Sequence, residues 1–180
     1  VTEHMDDGRV RVRYDDGESS GVVKASGLRS AAHPRLSGSF EAFRGVGALL
    51  ELSIANTKID CSKALQLLPS MPWIGQIKVL SLAGTDAVGS FEAFRGVGAL
   101  LELSIANTKI DCSKALELLP SMPWIGQVTR LDMANTNVQG TLPGIVIRMI
   151  TDKRAAHGKD SVKLGGCGQL TLAEDLSDIE

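Results

Sequence analysis

Apolar residues recur in a fixed frame along the middle of the chain. From position 49 to 59 they occupy places 1, 4, 6 and 11 of the frame, as Leu49, Leu52, Ile54 and Ile59. The frame returns with Ile77, Leu80, Leu82 and Ala87, then with Leu100, Leu103, Ile105 and Ile110, and again with Val128, Leu131, Met133 and Val138. Places 4 and 6 alternate with polar or small residues at the two-residue period of a strand, which predicts short strands with one face inward. The four frames start 28, 23 and 28 residues apart, enough for a crossover between parallel strands. After the first frame, Asp60 or Ser62 is expected to cap a short helix with Ala64, Leu65 and Leu68 on one face, ended by Pro69. After the second, Ser90 is expected to cap a single turn that carries Phe91 and Phe94 on one side and closes at Gly96.

A duplication underlies the pattern. Residues Gly38 to Gln76 recur as Gly89 to Gln127, 51 positions later, with one difference in 39 places, Gln66 against Glu117. Copies that close are expected to sit in nearly equivalent surroundings, and the unit reads as one long turn and one short one. Ser39 to Gly45, ahead of the first full strand, reads as a truncated repeat. Beyond Pro143 the frame decays. Residues 144–159 are expected to form a fourth crossover that buries Ile145, Ile147 and Met149, and Ser161 to Cys167 a fifth strand with Val162 and Leu164 inward. The acidic tail from Glu174 to Glu180 is expected to cap the stack or to leave it.

The frame L-x-x-L-x-L-x-x-T-x-I resembles that of leucine-rich repeats, over roughly residues 36 to 172. The segment VTRLDMANTNVQGTLP, from Val128 to Pro143, is similar to the plant-type variant of that family. The resemblance implies an α/β solenoid, with a parallel sheet on its concave side and short helices and turns on its convex side. It departs from the family at place 9, where Thr57, Thr85, Thr108 and Thr136 replace Asn. The family's Asn bonds neighbouring backbone along the ladder, and Thr is expected to do so less completely.

The first thirty residues follow another rule. Asp7-Gly8 and Asp16-Gly17 are hairpin-turn dipeptides around Arg9 to Tyr14, whose charged and apolar residues alternate at strand period, and Ser20 to Lys24 is a third candidate strand. The phrase DDGRVRVRYDDGESSGVVKASGLR resembles the closing strands of Tudor-like SH3-type barrels. A Tudor-like reader of methylated side chains needs a cage of several aromatics, and Tyr14 is the one aromatic before residue 30. The expected organisation is therefore a small antiparallel β-hairpin segment at 1–29, a truncated repeat at 30–48, and repeats at 49–76, 77–99, 100–127 and 128–143. A degenerate repeat with the acidic tail fills 144–180. A start at Val1 in mid-pattern leads us to expect a processed protein or a piece of a larger one.

Charge and chemistry narrow the function. A net charge of −2 over 180 residues gives no electrostatic reason to expect nucleic acid or an anionic membrane as partner. No apolar run reaches the roughly 18 to 20 residues of a membrane span; Ile145 to Ile150 is interrupted by Arg148. Three cysteines and no glycosylation sequon point to a reducing, intracellular compartment. Cys61 and Cys112, two turns apart, stand about 10 Å from each other, beyond disulfide reach, and read as small buried hydrophobes. His4, His33 and His157 are scattered, no metal-ligand spacing is present, and Gly165 to Gly168 lacks the residues of a phosphate loop. Asp6, Asp7, Asp15 and Asp16 read as turn residues, and Trp73 and Trp124 as closures of the crossover core. No catalytic residue, metal or cofactor is expected, and the chain is not expected to be an enzyme.

Binding is expected on the outward residues of the strands. These are Glu51, Ser53 and Ala55, then Lys78, Ser81 and Ala83, then Glu102, Ser104 and Ala106, then Arg130, Asp132 and Ala134. Glu51, Lys78, Glu102 and Arg130 would alternate in charge along the stack, either as a solvated ladder or as a mixed-charge trough over a small-residue floor. The expected role is a non-catalytic protein-binding scaffold or an accessory subunit of a larger assembly, with no small-molecule substrate and no membrane insertion. The alternatives are a chromatin methyl-mark reader and a substrate-selecting segment of a larger enzyme.

Overall fold

The computed structural model describes residues 3–5, 9–13, 20–24, 28–29, 37–47, 49–142, 144–158, 161–168 and 170–172. The turn dipeptides Asp7-Gly8 and Asp16-Gly17, Tyr14, and the tail from Glu174 to Glu180 lie outside the described residues. The chain is a mixed α/β protein of parallel sheets and short helices.

Its largest sheet has six parallel strands. In spatial order they are Val162–Lys163, Arg130–Asp132, Glu102–Ser104, Val79–Ser81, Glu51–Ser53 and Leu28–Arg29, the reverse of chain order without a skip. Leu52, Leu80, Leu103 and Leu131 stand side by side in register. The ladder runs on past the strands, because the amides of Ile54, Leu82, Ile105 and Met133 donate to the carbonyls of Ser81, Ser104, Asp132 and Lys163 in the next row. All sixteen apolar residues of the four frames are buried. That fixes the parity: places 4 and 6 face the core and places 3 and 5 face away from it.

The five strands from Glu51–Ser53 onward each lead into a tight bend at place 8, which turns the chain at positive φ. Asn56, Asn107 and Asn135 each have φ of 56°, the left-handed conformation that Asn tolerates better than most residues. Glycine takes the same place at Gly84 (φ 66°) and Gly166 (φ 69°), and there a second reason applies. A Cβ on Gly84 would collide with Oδ1 of Asn56, and one on Gly166 with Oδ1 of Asn135. Place 9 settles the threonine question: the hydroxyls of Thr57, Thr85, Thr108 and Thr136 donate to the carbonyls of Ile54, Leu82, Ile105 and Met133 at 2.6–2.7 Å. Each threonine bonds its own bend, and Thr136 Oγ1 also lies 3.9 Å from Cys167 Sγ in the next row.

The crossovers supply the cover for the sheet's inner face. Ala64–Leu67 and Ala115–Leu118 are one-turn helices continued by 3-10 turns at Leu68–Ser70 and Leu119–Ser121. The cap differs from expectation. The residue ahead of the helix is Lys63, with no side-chain cap, while Oδ1 of Asp60 accepts instead from the amide and hydroxyl of Ser62 at 3.0 and 2.6 Å. Asp60 thus closes its own Asx turn one step too early to cap. Pro69 sits inside the 3-10 turn, where its missing N–H costs nothing. Ser90 caps Phe91–Gly96 by accepting from the Glu92 amide at 3.2 Å, and Ser39 does the same for Phe40–Gly45. Trp73 is wholly buried, donates to the Phe43 carbonyl at 2.9 Å and meets Phe40 edge-on at 6.4 Å. Trp124 repeats this with Phe94 and Phe91.

Three further two-stranded parallel pairs join alternate crossovers: Ser37–Ser39 with Lys58–Asp60, Val88–Ser90 with Lys109–Asp111, and Gly140–Leu142 with Leu170–Leu172. Near the C-terminus Gly144–His157 is a fourteen-residue helix. The expectation for this crossover was burial of Ile145, Ile147 and Met149, which stand two residues apart. A helix instead carries Val146 and Ile150 to one face; Val146 is buried, Ile150 packs against the core and Ile147 is half-buried. The side chains of Ile145 and Met149 lie outside the described residues. The expected fifth strand is present as Val162–Lys163, with Val162 buried and Leu164 half-buried.

At the other end Glu3–Met5, Arg9–Arg13 and Ser20–Lys24 form a three-stranded antiparallel sheet in chain order. Among the described residues it does not close into a barrel. Leu28–Arg29, which the sequence groups with these strands, pairs with Leu52 and Ser53 in the parallel sheet.

Candidate functional site

The face of the six-stranded sheet that points away from the core carries the candidate site. Ser53, Ser81, Ser104 and Asp132 form one row across neighbouring strands, with Lys163 beside Asp132. Ala55, Ala83, Ala106 and Ala134 follow two residues later in each chain segment. Side chains this short leave the backbone approachable. Ser53, Val79, Ser81, Glu102, Ser104 and Arg130 line a shallow depression of about 220 Å³ in the middle of the face.

One expectation about this face is corrected. Val79, and not Lys78, stands opposite both Glu51 and Glu102. Lys78 lies one residue earlier, its amide donating to Leu50 and its carbonyl accepting from Leu101. Lys78 therefore leaves the outward row, and the charge alternation Glu51, Lys78, Glu102, Arg130 does not exist. The row reads Glu51, Val79, Glu102, Arg130. Counting places from Ile77 would have found this, since Val79 is third in its frame. The structure brings together Glu51, Ser53, Ser81, Glu102, Ser104, Arg130 and Asp132. It adds Val79 and Lys163.

Charge is unevenly spread on the face. Glu102 stands directly opposite Arg130 in register, and Asp132 opposite Lys163. The described ion pairs, Glu41 with Arg44 and Glu92 with Arg95, lie on the crossovers, and none joins Glu102 to Arg130 among the described residues. Beside the row, Leu50 is an exposed large apolar side chain at 37% exposure.

Elsewhere the chemistry is quiet. Cys61 and Cys112 are buried, and that burial pushes both thiols up to about 12, so neither supplies a thiolate at neutral pH. The amide of Cys61 donates to Asp86 Oδ1 at 2.7 Å, and that of Cys112 to Asn137 Oδ1 at 2.6 Å. Asp60 and Asp111 are held below the usual carboxylate range by hydrogen bonds, Asp60 chiefly from the Ser62 hydroxyl and Asp111 chiefly from the Ser113 amide and then the Asn137 side chain. Among the described residues no group of three His, Cys, Asp or Glu could hold a metal ion, and no helix is long and apolar enough to cross a membrane.

No family model, no curated protein and no solved structure matches this chain at a significant level.

Proposed function

We propose that the chain is a leucine-rich-repeat solenoid that docks a protein partner on the open face of its sheet, as a non-catalytic scaffold or accessory subunit of a larger assembly. The observation that carries the reading is the row of Ser53, Ser81 and Ser104, a small-residue floor bounded by Glu102, Arg130 and Asp132 on a face that, among the described residues, no crossover covers. Burial of places 4 and 6 in every frame supports the solenoid. The two buried free thiols at equivalent places suit a reducing, intracellular compartment.

Area sets a condition on the partner. Six strands about 4.8 Å apart, four of them three residues long and two of them two, make a strip of at most about 24 by 10 Å. That is well below the roughly 800 Å² a side of a stable interface. A partner must therefore also reach the flanks, where Leu50, Lys78, Leu101 and Thr129 align on one side and the alanines on the other.

The test is the paired reversal Glu102→Arg with Arg130→Glu. The two charges remain opposite in sign to one another, so the melting temperature is expected to stay within about 2 °C. Recovery of the partner that co-purifies with the tagged wild-type chain is expected to fall at least about tenfold. Undiminished recovery would remove this face from the reading.

A further inference from the structure

The crossovers obey a spacing that runs on past the last described strand. The second strands of successive rows end at Ser39, Asp60, Ser90, Asp111, Leu142 and Leu172. The fourth residue after each of the first five ends is Phe43, Ala64, Phe94, Ala115 and Val146 in turn, and all five are buried. The first residue on is buried too at Phe40, Cys61, Phe91 and Cys112. The seventh is Val46, Leu67, Val97 and Leu118, each buried or half-buried. After Leu172 the same three places hold Ala173, Leu176 and Ile179.

The polar residues keep the spacing as well. In Phe40 to Val46 and in Phe91 to Val97 the second, fifth and sixth places are exposed, with Glu41, Arg44 and Gly45 in one turn and Glu92, Arg95 and Gly96 in the other. Residues 173–180 lie outside the described residues, and their sequence puts Glu174, Ser177 and Asp178 at those exposed places. Asp175 departs from the pattern, because Ala42 and Ala93 hold the third place.

The last row has apolar surface for such a segment to cover. Place 6 is buried at Ile54, Leu82, Ile105 and Met133, each of which is followed by another row. Leu164 holds that place in the last row and is half-buried, as are Cys167 and Leu170. Among the described residues no further row follows them. A terminal repeat with an apolar edge needs a cover whose outer side is polar. A segment joined directly to Leu172 reaches that edge at a high effective concentration, which neither a second copy nor a separate partner has. We propose that residues 173–179 close the stack, with Ala173, Leu176 and Ile179 laid over Leu164, Cys167 and Leu170, and with Glu174, Ser177 and Asp178 turned to solvent. The inference does not rest on the protein-partner reading; it removes this end of the stack from the surfaces that a partner can take.

Cys167 reports on the cover, since Cys61 and Cys112 are buried in the core. The full chain is reacted with a maleimide under native conditions, and labelling at each thiol is followed by mass spectrometry. Leu176→Asp combined with Ile179→Asp is expected to speed labelling of Cys167 at least about tenfold, with Cys61 and Cys112 still protected. Glu174→Gln combined with Asp178→Asn, at the outward places, is expected to leave the rate unchanged. In the methyl-labelled wild-type chain, nuclear Overhauser contacts are expected from Leu176 and Ile179 to Leu164 or Leu170 within one molecule. If all three thiols of the apolar double variant react alike, those contacts decide the matter. A Cys167 rate that the apolar pair does not move overturns the proposal. So do methyl contacts that arise only between differently labelled chains, the result if a second copy covers the row.

Discussion

Residues 38–76 and 89–127 are one sequence used twice, and the two copies show which features a segment carries with it and which it receives. Carried features recur in both copies: the Ser39 and Ser90 caps, the two one-turn helices, the buried tryptophans and the Asn bends at φ 56°. Received features differ. Ala55 is half-buried, whereas its counterpart Ala106 is 5% exposed. Asn107 accepts a hydrogen bond from the Asn135 side chain at 2.9 Å, whereas Asn56 faces the bare backbone of Gly84. The Cys61 amide meets an aspartate, and the Cys112 amide an asparagine. Each copy is followed by a different row, and the row that follows supplies the partners.

The equivalence of the copies is open to a strong test at the tryptophans. Trp73→Ala and Trp124→Ala are each expected to cost about 3–5 kcal/mol in urea denaturation, with the two values within about 1 kcal/mol of one another. Each also strips a donor from a buried carbonyl, at Phe43 or Phe94. A larger gap would show that the copies are not energetically alike. Next in size is Gly84→Ala, expected to cost about 1–3 kcal/mol because it places a Cβ both at positive φ and against Asn56. Adding Asn56→Gly should recover part of that loss. A melting temperature unchanged by Gly84→Ala would refute the close approach.

The smallest effect sharpens the comparison most finely. Asn137→Asp gives the second copy the acceptor that Asp86 gives the first, so the Cys112 amide keeps its bond. It removes the Asn137 amide donor from Asp111, 3.0 Å away, and puts a like charge there. The Asp111 carboxyl is expected to rise towards its ordinary value, and Asp60 is expected not to move, as read by carboxyl NMR titration. A carboxyl whose folded pKa is depressed contributes stability above its unfolded value of 3.8, and loses it as pH falls through the folded value. The variant should therefore lose less stability on acidification than wild type.

Much of this was legible in the residues. The apolar frame named the inward side chains, the duplication named the equivalent places, and Ser90 announced its own cap. Lys78 shows where reading stopped: its place relative to Glu51 and Glu102 depended on counting one residue correctly, and only strand register decided it. In the helix at Gly144–His157 the structure adds Val146 and Ile150 to the inward face, residues that the expectation of buried Ile145, Ile147 and Met149 did not name.

The sequence alone determined what is periodic, because alternation and bend chemistry are settled within a few bonds of each residue. Tertiary structure decided what depends on the neighbouring row. It set Val79 in the outward line, drew Leu28–Arg29 into the parallel sheet, and laid the end of a helix against Arg130, Ser161 and Lys163. The strand pairings join residues 23 and 24 positions apart, and no local pattern encodes which of them will meet.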